Sequence, residues 1–442
     1  MDTYESNRTA TAAATLAEEP RGAPMARVAV SCLVGSAIEF YDFLIYGTAA
    51  ALVFPAVFFP TLTPGVAMIA SLGTFATAFL SRPVGAAVFG YFGDRLGRKK
   101  TLIFTLLLMA AATVGVGLVP STASIGMAAP LILMALRLLQ GFAVGGEWAG
   151  SALLSAEYAP GGRRGRYGMF TLLGGGVAGV MSSLTFLGVS VTIGEYSPAF
   201  LQWGWRVPFL ISGVLIALAL YVRLNIDETP VFAAERARDL VPKAPLTEVL
   251  RLQRREIFLA AGSVLGGMAF CYLGNTYLAM YAHSHLGYSR SFIWSIGVLS
   301  GLVSLTSVIV SASLCDRFGR RRIMLIGWSA CVPWSFVVIP LIDTGSPVLY
   351  AVAITGIFAV AGIGSGPTGA FIPELFATRY RYSGSALAIN LAGVLGGALP
   401  PLIAGTLLAT YGSWSIGVML AALTLTGVVC TYLLPETHGT KL

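Results

Sequence analysis

The sequence is short of charge. Only 11% of its 442 residues are Asp, Glu, Lys or Arg, whereas 56% are hydrophobic, and the mean hydropathy is +0.79. A typical soluble domain carries about 25% charged residues to cover its surface. The composition therefore argues against a soluble globular protein and predicts a polytopic membrane protein.

Residues that mark particular chemistries are also scarce. The chain has three histidines and five scattered cysteines with no CxxC pair, so neither a metal site nor a disulfide framework is expected. No phosphate-binding P-loop occurs, which argues against ATP as the energy source. The net charge of +8 lies in short turns rather than on one basic face, so no nucleic-acid partner is expected. We expect no cofactor.

Twelve apolar stretches are long enough to cross a bilayer, which takes about 20 residues. The predicted spans lie near 28–54, 66–92, 101–119, 129–157, 167–193, 207–222, 258–282, 291–314, 323–341, 347–374, 384–409 and 414–434. Linkers after even-numbered spans carry nearly all of the linker Lys and Arg. Because positive residues favour the cytoplasm, both termini are predicted to be cytoplasmic.

The long polar linker at the midpoint divides the chain into two predicted six-helix bundles. The predicted domains are a disordered cytoplasmic tail (1–26), an N-terminal bundle (27–222), a cytoplasmic linker (223–257), a C-terminal bundle (258–434) and a short cytoplasmic tail (435–442).

A charged turn occurs once in each half. Residues 94–98, an Asp-Arg-x-Gly-Arg sequence after span 2, recur at 316–320 after span 8. Glu157 and Glu374, at the ends of spans 4 and 10, repeat at nearly the same offset. Two repeats with nearly one offset indicate an internal duplication, which is typical of secondary transporters.

Several motifs carry a resemblance to a known family. The turn at 90–99 and the Arg-Leu-Leu-Gln-Gly sequence at 137–141 resemble the signatures of the major facilitator superfamily. Within it, residues 39–43, 82–85, 141–148 and 203–209 resemble the metabolite:proton symporters, which carry shikimate, 2-oxoglutarate, citrate or proline/betaine. The resemblance covers residues 27 to about 435. It implies an all-α membrane fold of twelve helices in two pseudo-symmetric bundles, and import of a small organic acid, shikimate-like or a di- or tricarboxylate, with protons across the bacterial inner membrane. We expect a monomer surrounded by membrane lipids.

Five ionisable residues lie within predicted spans, where each costs roughly 3 kcal/mol on insertion scales. They are Glu39, Asp42, Arg82, Arg137 and Glu147. The resemblance suggests that Asp42 pairs with Arg137 until it is protonated; the alternative is a fixed structural pair. Glu39 shares the Asp42 face of the helix. Glu147 is either a second proton site or a packing acceptor. We predict that Glu39, Asp42, Arg137 and Glu147 couple protons.

Other polar residues within or at the ends of the spans are candidates for binding substrate. Arg82 suits a substrate carboxylate, or pairs with Glu39. Tyr272 and Asn275 lie three apart on one side of span 7 and either bind substrate or bond between helices. The full predicted set is Arg82, Gln140, Trp148, Arg206, Tyr272, Asn275 and Asn390. For Gln140 and Trp148 we favour helix packing, and for Arg206 an interfacial anchor.

The repeated turns are predicted to form a cytoplasmic gate. Acidic and basic residues in each turn can pair with one another and with the glutamate of the same half, in one conformation only. The predicted gate residues are Asp94, Arg95, Arg98, Glu157, Asp316, Arg317, Arg320 and Glu374. The alternative is that the basic residues only set topology, which leaves the repeated aspartate unexplained.

Four other functions are weighed against acid import. A proline/betaine symporter is the first alternative, although osmosensing members carry a long C-terminal coiled coil and only about eight residues follow span 12. Drug efflux is disfavoured because span 5 (167–193) lacks the Gly-Pro motif typical of exporters. An intramembrane enzyme would need a catalytic pair, and no Lys or His lies mid-span. A passive channel does not explain the titratable residues.

Overall fold

The fold is built almost entirely from long apolar helices. A computed structural model describes residues 25–96, 98–145, 147–157, 159, 163–224, 245–377 and 380–439. Within this part of the chain, ten helices are at least 18 residues long and apolar enough to cross a membrane. Two shorter apolar helices, Ile103–Leu118 and Ala128–Val144, occupy the positions of predicted spans 3 and 4. Away from their ends and from their internal prolines, such helices satisfy their backbone groups by bonds within the helix, which a bilayer requires.

The spans keep their predicted numbers and take their bounds from the structure. Spans 1 to 6 are Met25–Leu52, Pro64–Leu96, Arg98–Leu118, Ala128–Val144 with Glu147–Glu157, Arg164–Ile193 and Val207–Leu224. Spans 7 to 12 are Arg254–His285, Arg290–Phe318, Arg320–Asp343, Pro347–Ser365 with Thr368–Glu374, Arg381–Tyr411 and Trp414–Leu433. Short helices lie between spans at Phe54–Phe58, Thr122–Ile125, Pro198–Gln202, Gly204–Arg206 and Pro245–Leu252.

Two spans contain a π-helical turn in the middle of an α-helix. In span 7 it covers Leu273–Tyr277, and in span 11 it covers Gly393–Ala398. Glycines within these segments (Gly274 and Gly393) lower the resistance of the helix to widening. Such turns often occur at functional sites, and the first one contains Asn275.

Spans 2 and 4 pack backbone against backbone. A Cβ atom placed on Gly85 would lie 1.9 Å from the carbonyl oxygen of Phe142, and one on Gly145 would lie 2.2 Å from that of Arg82. Only glycine permits this approach. The contact fixes the register of the two helices and so brings Arg82 and Arg137 into the same region of the bundle.

The first six spans meet the last six along several helix pairs. Span 5 packs along span 8, span 1 contacts span 7, and span 2 contacts span 11. The end of the bundle that carries Asp316 and Arg320 is called the motif end, and the opposite end, which carries Glu195 and Arg290, is called the far end. Polar contacts join the two sets of spans at both ends.

Candidate functional site

A central cavity of about 230 Å³ lies between spans of both halves. Aromatic side chains line much of it: Phe40, Tyr272, Trp294, Trp328, Tyr350 and Phe358. Hydroxyl and amide groups, among them Thr48, Ser183 and Asn275, provide hydrogen-bonding positions. Drug-sized ligands occupy cavities of about 300–1,000 Å³. This cavity is therefore of a size for a small metabolite.

The described lining contains no charged side chain. The nearby cation is Arg82, whose guanidinium lies 4.4 Å from the ring centroid of Phe43 and 4.7 Å from that of Phe79. It also lies within electrostatic range of the Tyr272 hydroxyl. Its buried Nε has no hydrogen-bond partner among the described residues. Arg82 thus stands next to the cavity with donor capacity to spare.

Span 1 presents two different faces. Phe40, Leu44 and Thr48, spaced by four, face the cavity. Asp42 is two positions from Phe40, which on an α-helix is the opposite side. Its carboxylate is directed away from the cavity, towards spans 3 and 6, and its residue is only 2% exposed.

Two hydroxyl groups hold the Asp42 carboxylate. Thr113 of span 3 donates to Oδ2 over 3.1 Å. Ser212 of span 6 donates to Oδ1. Neither hydroxyl was among the predicted site residues. Serine and threonine in helices usually bond to their own backbone, so the sequence carries no signal that singles these two out.

Arg137 is fully buried and reaches Asp42 indirectly. Its Nη1 donates to Gln140 Oε1 over 3.0 Å, and Gln140 Nε2 donates to the Thr113 hydroxyl over 2.6 Å. The direct Asp42–Arg137 ion pair suggested by the sequence is not formed in this structure, where Thr113 and Gln140 stand between the two groups. The sequence interpretation thus paired an acid of span 1 with a base of span 4, and it missed the hydrogen bonds that connect them through Thr113 and Gln140.

An aromatic wall surrounds the Arg137 guanidinium, whose carbon lies 4.3 Å from the Phe43 centroid, 4.1 Å from that of Tyr46 and 5.1 Å from that of Phe75. Cation–π attraction of about 0.5–2 kcal/mol per contact offsets part of the cost of burying the charge. Phe43 also contacts Tyr272, with centroids 5.5 Å apart. The ring of Phe43 therefore lies between the charged cluster and the cavity lining.

The two predicted glutamates belong to the same region. Glu39 and Glu147 are 5% and 3% exposed. Glu39, Asp42, Arg137 and Gln140 line a second cavity of about 10 Å³, close to the smallest volume that holds one water molecule. The side chain of Trp148 lies outside the described part of the chain.

The remaining predicted binding residues do not line the central cavity. Arg206 donates to the carbonyl oxygens of Gly117 and Val119, both over 2.7 Å, and so ties the short helix before span 6 to the end of span 3. Asn390 donates to the carbonyl of Gly145 over 2.8 Å and joins span 11 to span 4. Both use their polar groups for helix contacts, whereas Tyr272 and Asn275 line the cavity.

At the motif end, Asp316 connects the two halves. Its carboxylate accepts from the backbone N–H groups of Gly165 and Arg166, each over 2.9 Å, and so caps span 5. Arg320 lies 3.4 Å from Asp316 and 3.2 Å from Glu374. Arg317 is exposed and packs on Phe318. The side chains of Asp94, Arg95, Arg98 and Glu157 lie outside the described part.

The chain segment after span 12 folds back onto this end. Glu436 accepts from the backbone N–H groups of Arg320 and Arg321, over 2.9 and 3.1 Å. Thr437 donates to Glu374 over 2.6 Å. The segment was predicted only as a short tail, so these contacts were missed.

Comparison with known proteins shows the family. Residues 36–401 match the family model of the Major Facilitator Superfamily. The chain is 39% identical to the Escherichia coli inner membrane metabolite transport protein YhjE, over 94% of this chain and 95% of that protein. It is 36% identical to the E. coli shikimate transporter, over 90% and 91% of the two chains.

More distant relatives extend the picture. The Salmonella typhimurium proline/betaine transporter is 33% identical over 84% of this chain and 75% of its own length. The solved structure of the proton:xylose symporter XylE bound to 6-bromo-6-deoxy-D-glucose matches with a TM-score of 0.72 at 19% identity, covering 95% and 97% of the two chains. This last likeness concerns the fold alone.

Proposed function

Because the chain belongs to the major facilitator superfamily, whose members are multi-pass membrane transporters rather than enzymes, we propose that it imports a small organic acid together with protons by alternating access. The observation that carries the proposal is the buried network of Asp42, Thr113, Gln140 and Arg137 on the opposite face of span 1 from the cavity. A carboxyl group at bilayer depth costs free energy of insertion, so its presence there indicates a function.

The substrate of this proposal is a small hydroxylated acid of the shikimate type. Tyr272 and Asn275 offer a hydroxyl and an amide to substrate oxygens. Arg82, next to Tyr272, can bind a carboxylate with two parallel hydrogen bonds. A relative that is 36% identical is named a shikimate transporter. Di- and tricarboxylates fit the same argument less well, because the described lining is uncharged and Arg82, beside it, would have to bind more than one carboxylate.

A proline/betaine-type zwitterion is the second candidate. Trp294, Trp328 and Tyr350 line the cavity, and aromatic faces attract ammonium groups. A proline/betaine transporter is 33% identical to this chain. Arg82 would then bind the carboxylate of the zwitterion.

The proposal also covers orientation and gating. We place the protein in a bacterial inner membrane, with both termini and the linker 223–257 in the cytoplasm, so that the motif end is cytoplasmic. Asp316, Arg320 and Glu374 then close the cytoplasmic side in one conformation. The capping of span 5 by Asp316 supports this role because it joins the two halves.

The test uses purified protein in liposomes with an imposed pH gradient. Shikimate, citrate, 2-oxoglutarate, a dicarboxylate, proline and betaine are offered as labelled substrates. We expect accumulation of shikimate or a similar hydroxylated monocarboxylate that collapses when a protonophore is added. Accumulation of betaine alone would favour the second candidate. If an imposed sodium gradient drives uptake and a pH gradient does not, proton coupling is wrong.

A further inference from the structure

Arg137 can only donate hydrogen bonds, and this fixes the direction of the two bonds that connect it to Thr113. A guanidinium has five N–H donors and no acceptor. Gln140 must therefore present its carbonyl oxygen to Arg137, which turns its NH₂ group towards Thr113. The Thr113 oxygen must accept from that NH₂ group. Its single proton is then available for Asp42 Oδ2.

Ser212 is under no such constraint. In the described part of the chain its hydroxyl makes one hydrogen bond, to Asp42 Oδ1. A hydroxyl can donate or accept, depending on how it rotates. Ser212 can therefore donate to an ionised carboxylate and accept from a protonated one. The Thr113 oxygen already accepts from Gln140 and keeps one lone pair, which makes Thr113 the poorer acceptor of the two hydroxyls.

We propose that Thr113 is a positioning residue through which Arg137 stabilises the ionised form of Asp42, and that the transported proton binds Oδ1, on the Ser212 side. This inference rests on the proposed proton coupling and adds two residues to it, from spans 3 and 6. The two oxygens of one carboxylate then have separate tasks. Oδ2 stays bonded to the series of hydrogen bonds that ends at Arg137, and Oδ1 exchanges the proton.

Other charged and titratable groups face Asp42 and act on both oxygens. Arg137 and Glu147 of span 4 interact with it electrostatically, and Tyr41 lies beside it in span 1. Glu39 shares the small cavity with it. Spans 3 and 6 contribute the hydroxyls of Thr113 and Ser212. Since none of these groups is altered when a single hydroxyl is removed, hydroxyl variants isolate the effect of each hydrogen bond.

The experiment reads the protonation of Asp42 directly. Infrared difference spectra of purified protein in lipid are recorded against pH, and the Asp42 carboxyl band is identified by its absence in Asp42→Asn. A hydrogen bond to a charged group is worth about 1.5–3 kcal/mol, which corresponds to about one to two pH units. Thr113→Val, which keeps the shape of the side chain, should move the pH midpoint of the band by about that amount to the alkaline side.

Three further variants sharpen the result. Gln140→Leu should move the midpoint in the same direction, because it disconnects Thr113 from Arg137. Ser212→Ala should move it by less than half as much, since Ser212 serves both protonation states. Thr113→Ser should restore the wild-type midpoint, and Ser263→Ala, which removes a buried hydroxyl bonded to Ala260, should leave it unchanged.

A wild-type midpoint in Thr113→Val would overturn the proposal. Equal shifts in Ser212→Ala and Thr113→Val would overturn the assignment of the proton to Oδ1. The band is measured without transport, so a protein that fails to accumulate any acid under a pH gradient refutes the proposed function and leaves this test intact.

Discussion

The two faces of span 1 differ in kind. One face, with Phe40, Leu44 and Thr48, lines a cavity whose described walls are uncharged. The other carries Asp42, bonded to hydroxyls from spans 3 and 6 and linked through Gln140 to Arg137. A single helix therefore separates the proposed substrate site from the proposed proton site, and Phe43 stands between them.

This separation suggests how the two ligands communicate. If proton and substrate shared one cavity, each would act on the other by direct contact. Because the proton and the substrate bind on opposite faces of span 1, each can affect the other only by changing the position of that helix. Coupling is then a property of two conformations that each ligand favours differently. Changes on one face should alter one ligand and spare the other, which makes the arrangement testable.

The largest effect is expected for Asp42→Asn, which should abolish proton-driven accumulation. Asn keeps the shape of the side chain and cannot bind the proton. With one proton per cycle, a difference of one pH unit supplies about 1.36 kcal/mol, so the wild type can accumulate substrate about tenfold and the variant not at all. Counterflow of labelled substrate, which needs no net proton movement, should continue. Accumulation and counterflow that both persist would assign coupling to another group.

Arg82→Gln should weaken substrate binding and leave proton coupling intact, which is the reverse of the result expected for Asp42→Asn. Loss of charge-assisted hydrogen bonds to a carboxylate costs about 1.5–3 kcal/mol, so KM should rise at least tenfold while the pH dependence of uptake stays as in the wild type. Arg206→Gln is the matched control, since Arg206 bonds to backbone carbonyls away from the cavity. An equal rise in KM for both variants would indicate a general structural effect.

A smaller effect is expected for Phe43→Leu, which removes the aromatic ring that lies between the charged cluster and the cavity lining. Phe43 contacts both guanidinium groups, and each contact is worth about 0.5–2 kcal/mol. We expect a partial loss of coupling, seen as about a two- to tenfold lower ratio of accumulated substrate to protons consumed. Phe58→Leu, in a buried aromatic cluster away from both arginines, is the control.

Asp316→Ala should change the rates of transport without a selective effect on the substrate site or the proton site. Loss of a helix cap costs about 0.5–2 kcal/mol. Here the lost bonds join the two halves, so the substitution destabilises the conformation in which those bonds form. Net uptake and counterflow should therefore change by a similar factor, with KM and pH dependence little altered. Arg317→Ala, at an exposed neighbour, is the control. Identical rates in Asp316→Ala and wild type would contradict the gate.

Much of the fold follows from the sequence because the bilayer imposes it. Long apolar runs predicted the positions of the spans, and the buried charges stood out because charge is rare within them. The hydrogen bonds among those charges did not follow. Asp42 and Arg137 were matched as an acid and a base. Whether Gln140 and Thr113 intervene depends on how spans 1, 3 and 4 pack together, which no single-helix pattern contains.

Aromatic and hydroxyl residues escaped prediction for a related reason. Phe43 and Phe75 are indistinguishable in sequence from ordinary lipid-facing or core phenylalanines. Thr113 and Ser212 look like the many hydroxyls that bond to their own helix. Their roles come from neighbours distant in the chain. Tyr272 and Asn275 were found because polar groups three apart in an apolar span share one side, and they do line the cavity.

The smallest effect concerns Glu195, which belongs to neither face. Burial raises the pKa of Glu195, but hydrogen bonds from the Ser291 hydroxyl, the Ser291 backbone N–H and the Tyr196 hydroxyl, together with the charge of Arg290, outweigh this effect. The pKa of Glu195 therefore lies below its ordinary value. The carboxylate therefore stabilises the far-end contact at any pH above the unfolded value of about 4.3. That stability is lost as the pH falls through the lowered folded value.

Between pH 8 and 5 the thermal stability of Glu195→Gln should therefore lie below that of the wild type by a constant amount. The difference should shrink only under more acidic conditions, where the wild-type carboxyl is also protonated. Ser284→Ala supplies the control, because among the described residues that hydroxyl bonds to Met280 of its own helix and to the neighbouring His285. Because Glu195 is remote from Asp42 in this arrangement, the pH dependence of uptake should be the same in Glu195→Gln and wild type. A shifted uptake profile would mean that the proton site extends to the far end, and the contrast between the two faces of span 1 would have to be redrawn.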